Sequence, residues 1–200
     1  MSLPPVQEPS TGLRERKRLR MLRVVQDIAL DLFLANGYEA TTIQQIAEAA
    51  EISESTFFRY FPTKEDVVLQ DDLDPILDAA LRAQPADLSP VEALRAAFRQ
   101  TFELISSDER SRQRERLAFV LEVPELRART VDQFFGATDL VARALAGRSG
   151  RAADDFEVRV LAGAIIGACM TVVLALPTAR EDVDELLDRA LAQLQAGLEL

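Results

Sequence analysis

The run TTIQQIAEAAEISESTFFRYFPTKED, residues 41–66, constrains the fold of this chain most, because it sets two short amphipathic periods either side of a turn. Ile43, Ile46, Ala47 and Ala50 recur at i, i+3, i+4 and i+7, the spacing of a helix with one buried stripe. Thr41 or Thr42, with Gln44 or Gln45 three residues on, makes a capping box that starts it. After Glu51 and Ile52, Ser53 caps a second helix whose Phe57 and Phe61 stand at i and i+4, leaving Ser55, Thr56, Phe58, Arg59 and Tyr60 on its other faces. Pro62 ends that helix, and Thr63 with Asp66 starts another. Lys64 then lies at a helix N-terminus, where its charge opposes the macrodipole and gains nothing locally.

Such a pair suits the major groove of DNA, where one helix crosses the backbone and the next presents side chains to base edges. A phosphate would also give Lys64 a reason to be where it is. Thr42, Ile46, Ala47, Ala50, Ile52, Ser53, Thr56, Phe57, Phe58, Tyr60, Phe61 and Lys64 fall in the pattern T-x-x-x-I-A-x-x-A-x-[IV]-S-x-x-[TS]-[FL]-[YF]-x-[YH]-F followed by lysine. This segment resembles the helix-turn-helix signature of the tetracycline-repressor (TetR) family of transcriptional regulators, and LFLANGYEAT before it resembles the end of that family's first helix. The resemblance covers the first third of the chain. It implies that Thr42, Tyr60 and Lys64 contact phosphates and set register without reading sequence. Ser53, Ser55, Thr56 and Arg59 belong to the same DNA-binding set. Among them Ser55, Thr56 and Arg59 are the expected readers, since Arg addresses guanine O6 and N7 together. Phe58, where the family often carries Tyr, offers an apolar contact to a thymine methyl or packs in the small core. Phe57 is expected in that core. Arg59 has a second outlet, a surface salt bridge with Glu51 or Glu54.

The net charge of -10 looks wrong for a DNA binder until it is divided. Residues 1–70 carry eight basic and ten acidic groups, whereas 71–200 carry fifteen and twenty-three, so most of the excess acid lies in the second part. Arg14, Arg16, Lys17, Arg18, Arg20 and Arg23 form a local basic run, with Arg18 an expected phosphate contact. The chain has no histidine and one cysteine, which excludes Ser-His-Asp and Cys-His catalysis and any internal disulfide. We expect no enzyme activity, no metal and no cofactor. Met1 leads into a polar, proline-bearing segment rather than an apolar signal core, so a cytoplasmic protein is expected.

No strand alternation of useful length, heptad seam or solenoid repeat occurs, and the fold class expected is all-α. Residues 1–12 read as a flexible arm, 13–63 as the three-helix DNA-binding domain, and 64–200 as a ligand-binding and dimerisation domain whose linking helix starts at 64. Pro75 must kink or end that linking helix. Further helices are expected from Pro90, over about 108–121, from Pro124 to the Gly147–Gly150 break, and over about 154–176 and 178–198.

Val160–Leu176 is uncharged and contains Gly163-x-x-x-Gly167. At about 26 Å it falls short of the roughly 30 Å hydrocarbon core, and acidic residues precede it, so burial against helices is expected, not a membrane span. The TetR resemblance implies a homodimer held by the last two helices, on a palindromic double-stranded operator. Val183, Leu186, Leu187, Ala190, Leu191, Leu194 and Leu198 supply a stripe for that packing. Phe98, Phe102, Phe119, Phe134, Phe135 and Met170 are candidate lining for an apolar ligand cavity, although aromatics at helical spacing are usually core. Residues 114–129 are similar to regulators that answer to acyl-CoA thioesters, while the alternate arginines from Arg110 to Arg116 read as a solvated, salt-bridged helix. The function expected is a homodimeric repressor released from its operator by a small apolar or amphipathic effector. The alternative is a DNA-binding regulator controlled by a protein partner, with a second domain serving only dimerisation.

Overall fold

A computed structural model describes residues 13–70 and 74–198, so the arm expected over 1–12 lies outside the described residues. The described residues form ten helices and no strand. They divide into two compact units, Met1–Gln70 and Asp71–Leu200.

The first unit holds α1 (Leu13–Asn36), α2 (Ile43–Ala49), α3 (Glu54–Tyr60) and α4 (Asp66–Leu69). Its core is Leu22, Val25, Ala29, Leu30 and Phe33 of α1, against Ile46 and Ala47 of α2, Phe57 and Phe61 in and after α3, and Val67 and Val68 of α4. On α1 Leu30 is fully buried while Ile28 and Leu32 are half-exposed. Burial of Val67 and Val68 also places α4 in the first unit, so the division falls after Gln70 and not at 63/64.

The linking helix is shorter than expected. It stops at Leu69, where Gln70 turns extended with ψ 127°, and a separate α5 (Asp74–Ala83) begins beside Pro75. Proline has no N–H to give and fits only a first turn, where none is needed.

The second unit continues with α6 (Pro90–Glu103), α7 (Ser107–Glu122), α8 (Pro124–Ser149), α9 (Phe156–Ala175) and α10 (Val183–Ala196). Ser89 with Glu92 and Ser106 with Glu109 form complete capping boxes for α6 and α7, and Asp155 caps α9 through the amides of Glu157 and Val158. Gly150, at φ 69°, ends α8. The last helix starts at Val183 instead of 178, because the carbonyls of Ala179 and Glu181 accept hydrogen bonds from the Arg114 guanidinium and are withheld from a helical ladder. Arg110 pairs with Asp184 at 3.2 Å and Arg112 with Glu115, so the arginines of α7 are ion-paired as a salt-bridged helix requires.

Ala142, Leu145 and Ala146 of α8, Val158, Ala162, Ile165 and Val172 of α9, and Leu186, Leu187 and Leu191 of α10 form the core with Val91, Leu94 and Phe102 of α6. The apolar stripe of α10 is thus spent inside its own subunit, with only Leu198 strongly exposed. By contrast α9 leaves one face open: Phe156, Val160, Gly163, Gly167, Thr171 and Leu174 are exposed and share a helical stripe. Nothing lies within 4 Å of a Cβ built on either glycine. Val131, Phe135 and Leu140 of α8 are exposed too, and Arg159 of α9 reaches Asp139 of α8 at 2.8 Å, so the open faces of α8 and α9 adjoin.

Arg95 of α6 grips Asp188 of α10 with two parallel bonds, Nε to Oδ1 at 3.0 Å and Nη2 to Oδ2 at 2.8 Å. Those bonds hold the Asp188 carboxyl below its ordinary range, against partial desolvation. A depressed carboxylate contributes stability above its unfolded pKa, and the contribution is lost as pH falls through the folded value. Asp188→Asn is expected to cost about 1 kcal/mol at pH 7, since the pair is partly solvated. The cost should shrink below about pH 4, which denaturant unfolding at pH 7 and pH 3 will measure.

Candidate nucleic-acid interface

Helices of seven residues are too short to persist alone, so α2 and α3 are held by caps and by one aromatic anchor. Thr42 caps α2: its Oγ1 accepts from Gln45 N at 3.2 Å, and its own N donates to Gln45 Oε1 at 2.8 Å. At the far end Glu51 sits at φ 54° in the left-handed region, its N donating to Glu48 O while Ile52 N donates to Ala47 O. This pair of bonds is the Schellman closure, here made without glycine, at a cost of about 1 kcal/mol. Ser53 then opens α3 by accepting from Thr56 N at 3.2 Å.

Phe57 and Phe61 are fully buried, with ring centroids 5.4 Å apart. Their seating turns the opposite face of α3 outward. Ser55 and Arg59 are exposed, and Phe58 keeps 46% of its surface accessible, so it is not a member of the small core. The Ser53 hydroxyl lies 2.9 Å from both the Ser55 and the Thr56 hydroxyls, and Thr56 is half-buried. Tyr60 is half-buried at the edge of the face, with the Arg59 guanidinium 4.9 Å and the Arg18 guanidinium 5.8 Å from its ring centroid. Arg59 makes no ion pair among the described residues, so Glu51 and Glu54 are not its partners.

Lys64 requires a correction. Its ammonium donates to Tyr38 O at 2.8 Å and Thr41 O at 3.2 Å, and it stands 4.0 Å from the centroid of the Tyr38 ring. It therefore gains a great deal locally, and holds the turn that leads into α2. Tyr38, Thr41 and Glu65 complete that latch; sequence reasoning weighed Thr41 only as a helix cap and gave Tyr38 and Glu65 no role. The Tyr38 hydroxyl donates to Glu65 Oε1 at 2.8 Å, and buried Thr41 donates through Oγ1 to Gly37 O at 2.9 Å. The one sequence signal for them was Gly37, the α1 terminator at φ 87°, which required some device to rejoin the chain to α2. Lys64→Met, which keeps the stem over Tyr38, should cost about 2 kcal/mol through the two charge-assisted bonds. Denaturant unfolding of the full chain followed by amide exchange within residues 13–70 will show it.

The six candidate ligand residues of the second unit differ in burial. Phe102 and Phe119 are buried, Phe98 stacks on Phe102 at 6.3 Å, Phe134 and Met170 are half-exposed, and Phe135 is 73% exposed. Phe135 is therefore a surface residue of α8 and not cavity lining. A groove of about 270 Å³ lies elsewhere, between α6 and α10, lined by Leu88, Glu92, Arg95, Ala96, Arg99 and Gln195. Arg95 spans it to reach Asp188 and Gln195.

Residues 27–70 match the description "bacterial regulatory proteins, tetR family", and residues 88–199, more than half of the chain, match "MftR C-terminal domain". The chain belongs to the TetR family of transcriptional regulators. It is 48% identical over 90 residues to the regulator TcmR of Streptomyces glaucescens, covering 44% of this chain and 40% of that protein. With the regulator MftR of Mycobacterium tuberculosis it shares 29% identity over 158 residues, 78% of this chain and 79% of that one. Among solved structures, the repressor FadR of Thermus thermophilus, in complex with lauroyl-CoA, is 27% identical with a TM-score of 0.55, covering 90% and 95% of the two chains. The chain thus spans less than half of TcmR but most of MftR and FadR. Regulators of this family bind DNA and are not enzymes.

Proposed function

We propose that this regulator is a cytoplasmic, homodimeric repressor that leaves its palindromic operator when a small amphipathic ligand occupies the second unit. The observation that carries the DNA half is the outward face of α3, turned to solvent by the seating of Phe57 and Phe61. On this reading Ser55, Thr56 and Phe58 face the groove, with Arg59 on the same exposed side of α3. Thr42, Ser53, Tyr60 and Arg18 flank it toward the phosphates, and Lys64 sets the turn before α2 with one N–H left for a phosphate oxygen. Selection of operators from random DNA, followed by titration at several salt concentrations, tests it. A half-site repeated about one helical turn apart is expected, and no enrichment of any sequence would refute it.

The dimer reading rests on the open face of α9 and the adjoining residues of α8, not on α10, whose stripe is already occupied. Exposed glycines at 163 and 167 let a partner helix approach closely. Because no neighbour within the subunit meets a side chain at Gly167, a bulky substitution there acts only across an interface. Gly167→Leu and Phe135→Glu should each weaken association by about 2 kcal/mol, roughly thirtyfold, without lowering subunit stability. Sedimentation of the unaltered chain as a 22.2 kDa species alone would sink the dimer.

Support for an amphipathic ligand comes from FadR, a relative solved with lauroyl-CoA bound, and that molecule is the first probe. Linkage requires a ligand that releases DNA to bind the DNA complex more weakly by the same factor, on the order of 5 to 150. Calorimetric titration with and without operator measures it, and equal affinities refute induction by that ligand. The exposure of Phe135 and the partial exposure of Phe134 favour a second reading, a regulator controlled by a protein partner. Native mass spectrometry distinguishes the two by a retained small molecule.

A further inference from the structure

Tyr60 gathers two cations on one ring. The Arg59 guanidinium lies 4.9 Å from its centroid and donates through Nη2 to its hydroxyl at 3.4 Å, while the Arg18 guanidinium lies 5.8 Å from the same centroid. Two elements contribute to this arrangement: the C-terminal turn of α3 supplies Arg59 and Tyr60, its register fixed by the buried Phe57 and Phe61, and the basic N-terminal part of α1 supplies Arg18. Two guanidiniums at these distances from one ring centroid place their N–H donors around Tyr60, and Arg59 makes no ion pair among the described residues. A phosphate is the anion that such planar N–H donors match. The Tyr60 hydroxyl accepts from Arg59, which orients its own proton outward as a further donor.

We infer that Arg18, Arg59 and Tyr60 form a single site for one DNA backbone phosphate, in which Tyr60 is the positioning platform and Arg59 is an anchor, not a base reader. This deepens the DNA-binding reading above and rests on it. Base preference then falls to Ser55 and Phe58, which project from α3 without a cationic partner. Arginine stacked on an aromatic is already ordered, so phosphate contact costs little further side-chain entropy.

The test compares the unaltered chain with Arg59→Ala, Arg59→Lys, Tyr60→Phe and Tyr60→Leu, by fluorescence titration on the selected operator and on unrelated duplex DNA across a salt series. Arg59→Ala should weaken both DNAs alike, by roughly tenfold near physiological salt, and lower the salt slope by about 0.9 per reading head. Selection from random DNA should return the same operator. Tyr60→Phe keeps the ring and should retain most of the slope, whereas Tyr60→Leu should lose as much as Arg59→Ala, with the double variant no worse than either. Arg59→Lys, which keeps charge but stacks poorly, should fall between. Loss of preference at one position per half-site in Arg59→Ala, with unchanged binding to unrelated DNA, would overturn the anchor assignment. Additive losses in Arg59→Ala/Tyr60→Leu would overturn the shared site. Absence of salt-dependent DNA binding in the unaltered chain would overturn the DNA reading itself, a separate outcome from both.

Discussion

The burial of Phe57 and Phe61 is the interaction on which the reading unit depends. A seven-residue helix has no independent stability, and here its position is fixed by two aromatic rings inserted among Leu22, Val25, Phe33, Ile46 and Val67. Each buried ring contributes about 2 to 3 kcal/mol of apolar transfer. Once the pair is seated, helical geometry leaves little freedom over what faces outward: residues 55 and 59 lie across the helix from 57, with 58 at its side. The chemistry offered to DNA is thus a consequence of packing. The same seating brings Tyr60 to the edge, where α1 delivers Arg18 to its ring.

Backbone carbonyls between elements supply a second kind of order. Lys64 takes those of Tyr38 and Thr41, Arg114 those of Ala179 and Glu181, and Arg148 those of Pro85 and Leu88 among others. In each case a cation satisfies carbonyls that a loop would otherwise leave to solvent, and so ties a connection down at a helix boundary. This is how short connections keep the helix starts in place. The second unit uses the remaining apolar surface unevenly, with α10 sunk into its own core and α9 half open.

Much of this architecture was legible in the sequence. Capping boxes at Thr42 and Ser89, the glycine stop at Gly37 and the proline starts at 90 and 124 are local signals, readable because caps act over three or four residues. Phe57 as core followed from its i, i+4 relation to Phe61. The expectation that Lys64 gains nothing locally failed because its partners, Tyr38 and Thr41, are more than twenty positions away in the chain, and no local pattern reports a bond to a distant carbonyl. Phe135 failed for the opposite reason: apolar residues signal burial in general, but not whether the subunit itself supplies the cover.

By itself, then, the sequence determined the all-helical class, the helix-turn-helix and the TetR family, since periodicity, caps and motif spacing are properties of neighbouring residues. Only the tertiary structure decided that Lys64 is a latch, that Arg59 and Arg18 meet on Tyr60, that α10 spends its stripe at home, and that α8 and α9 share an open apolar face. Each of these depends on which of several equivalent surfaces is covered first, and that choice is made by the whole core at once.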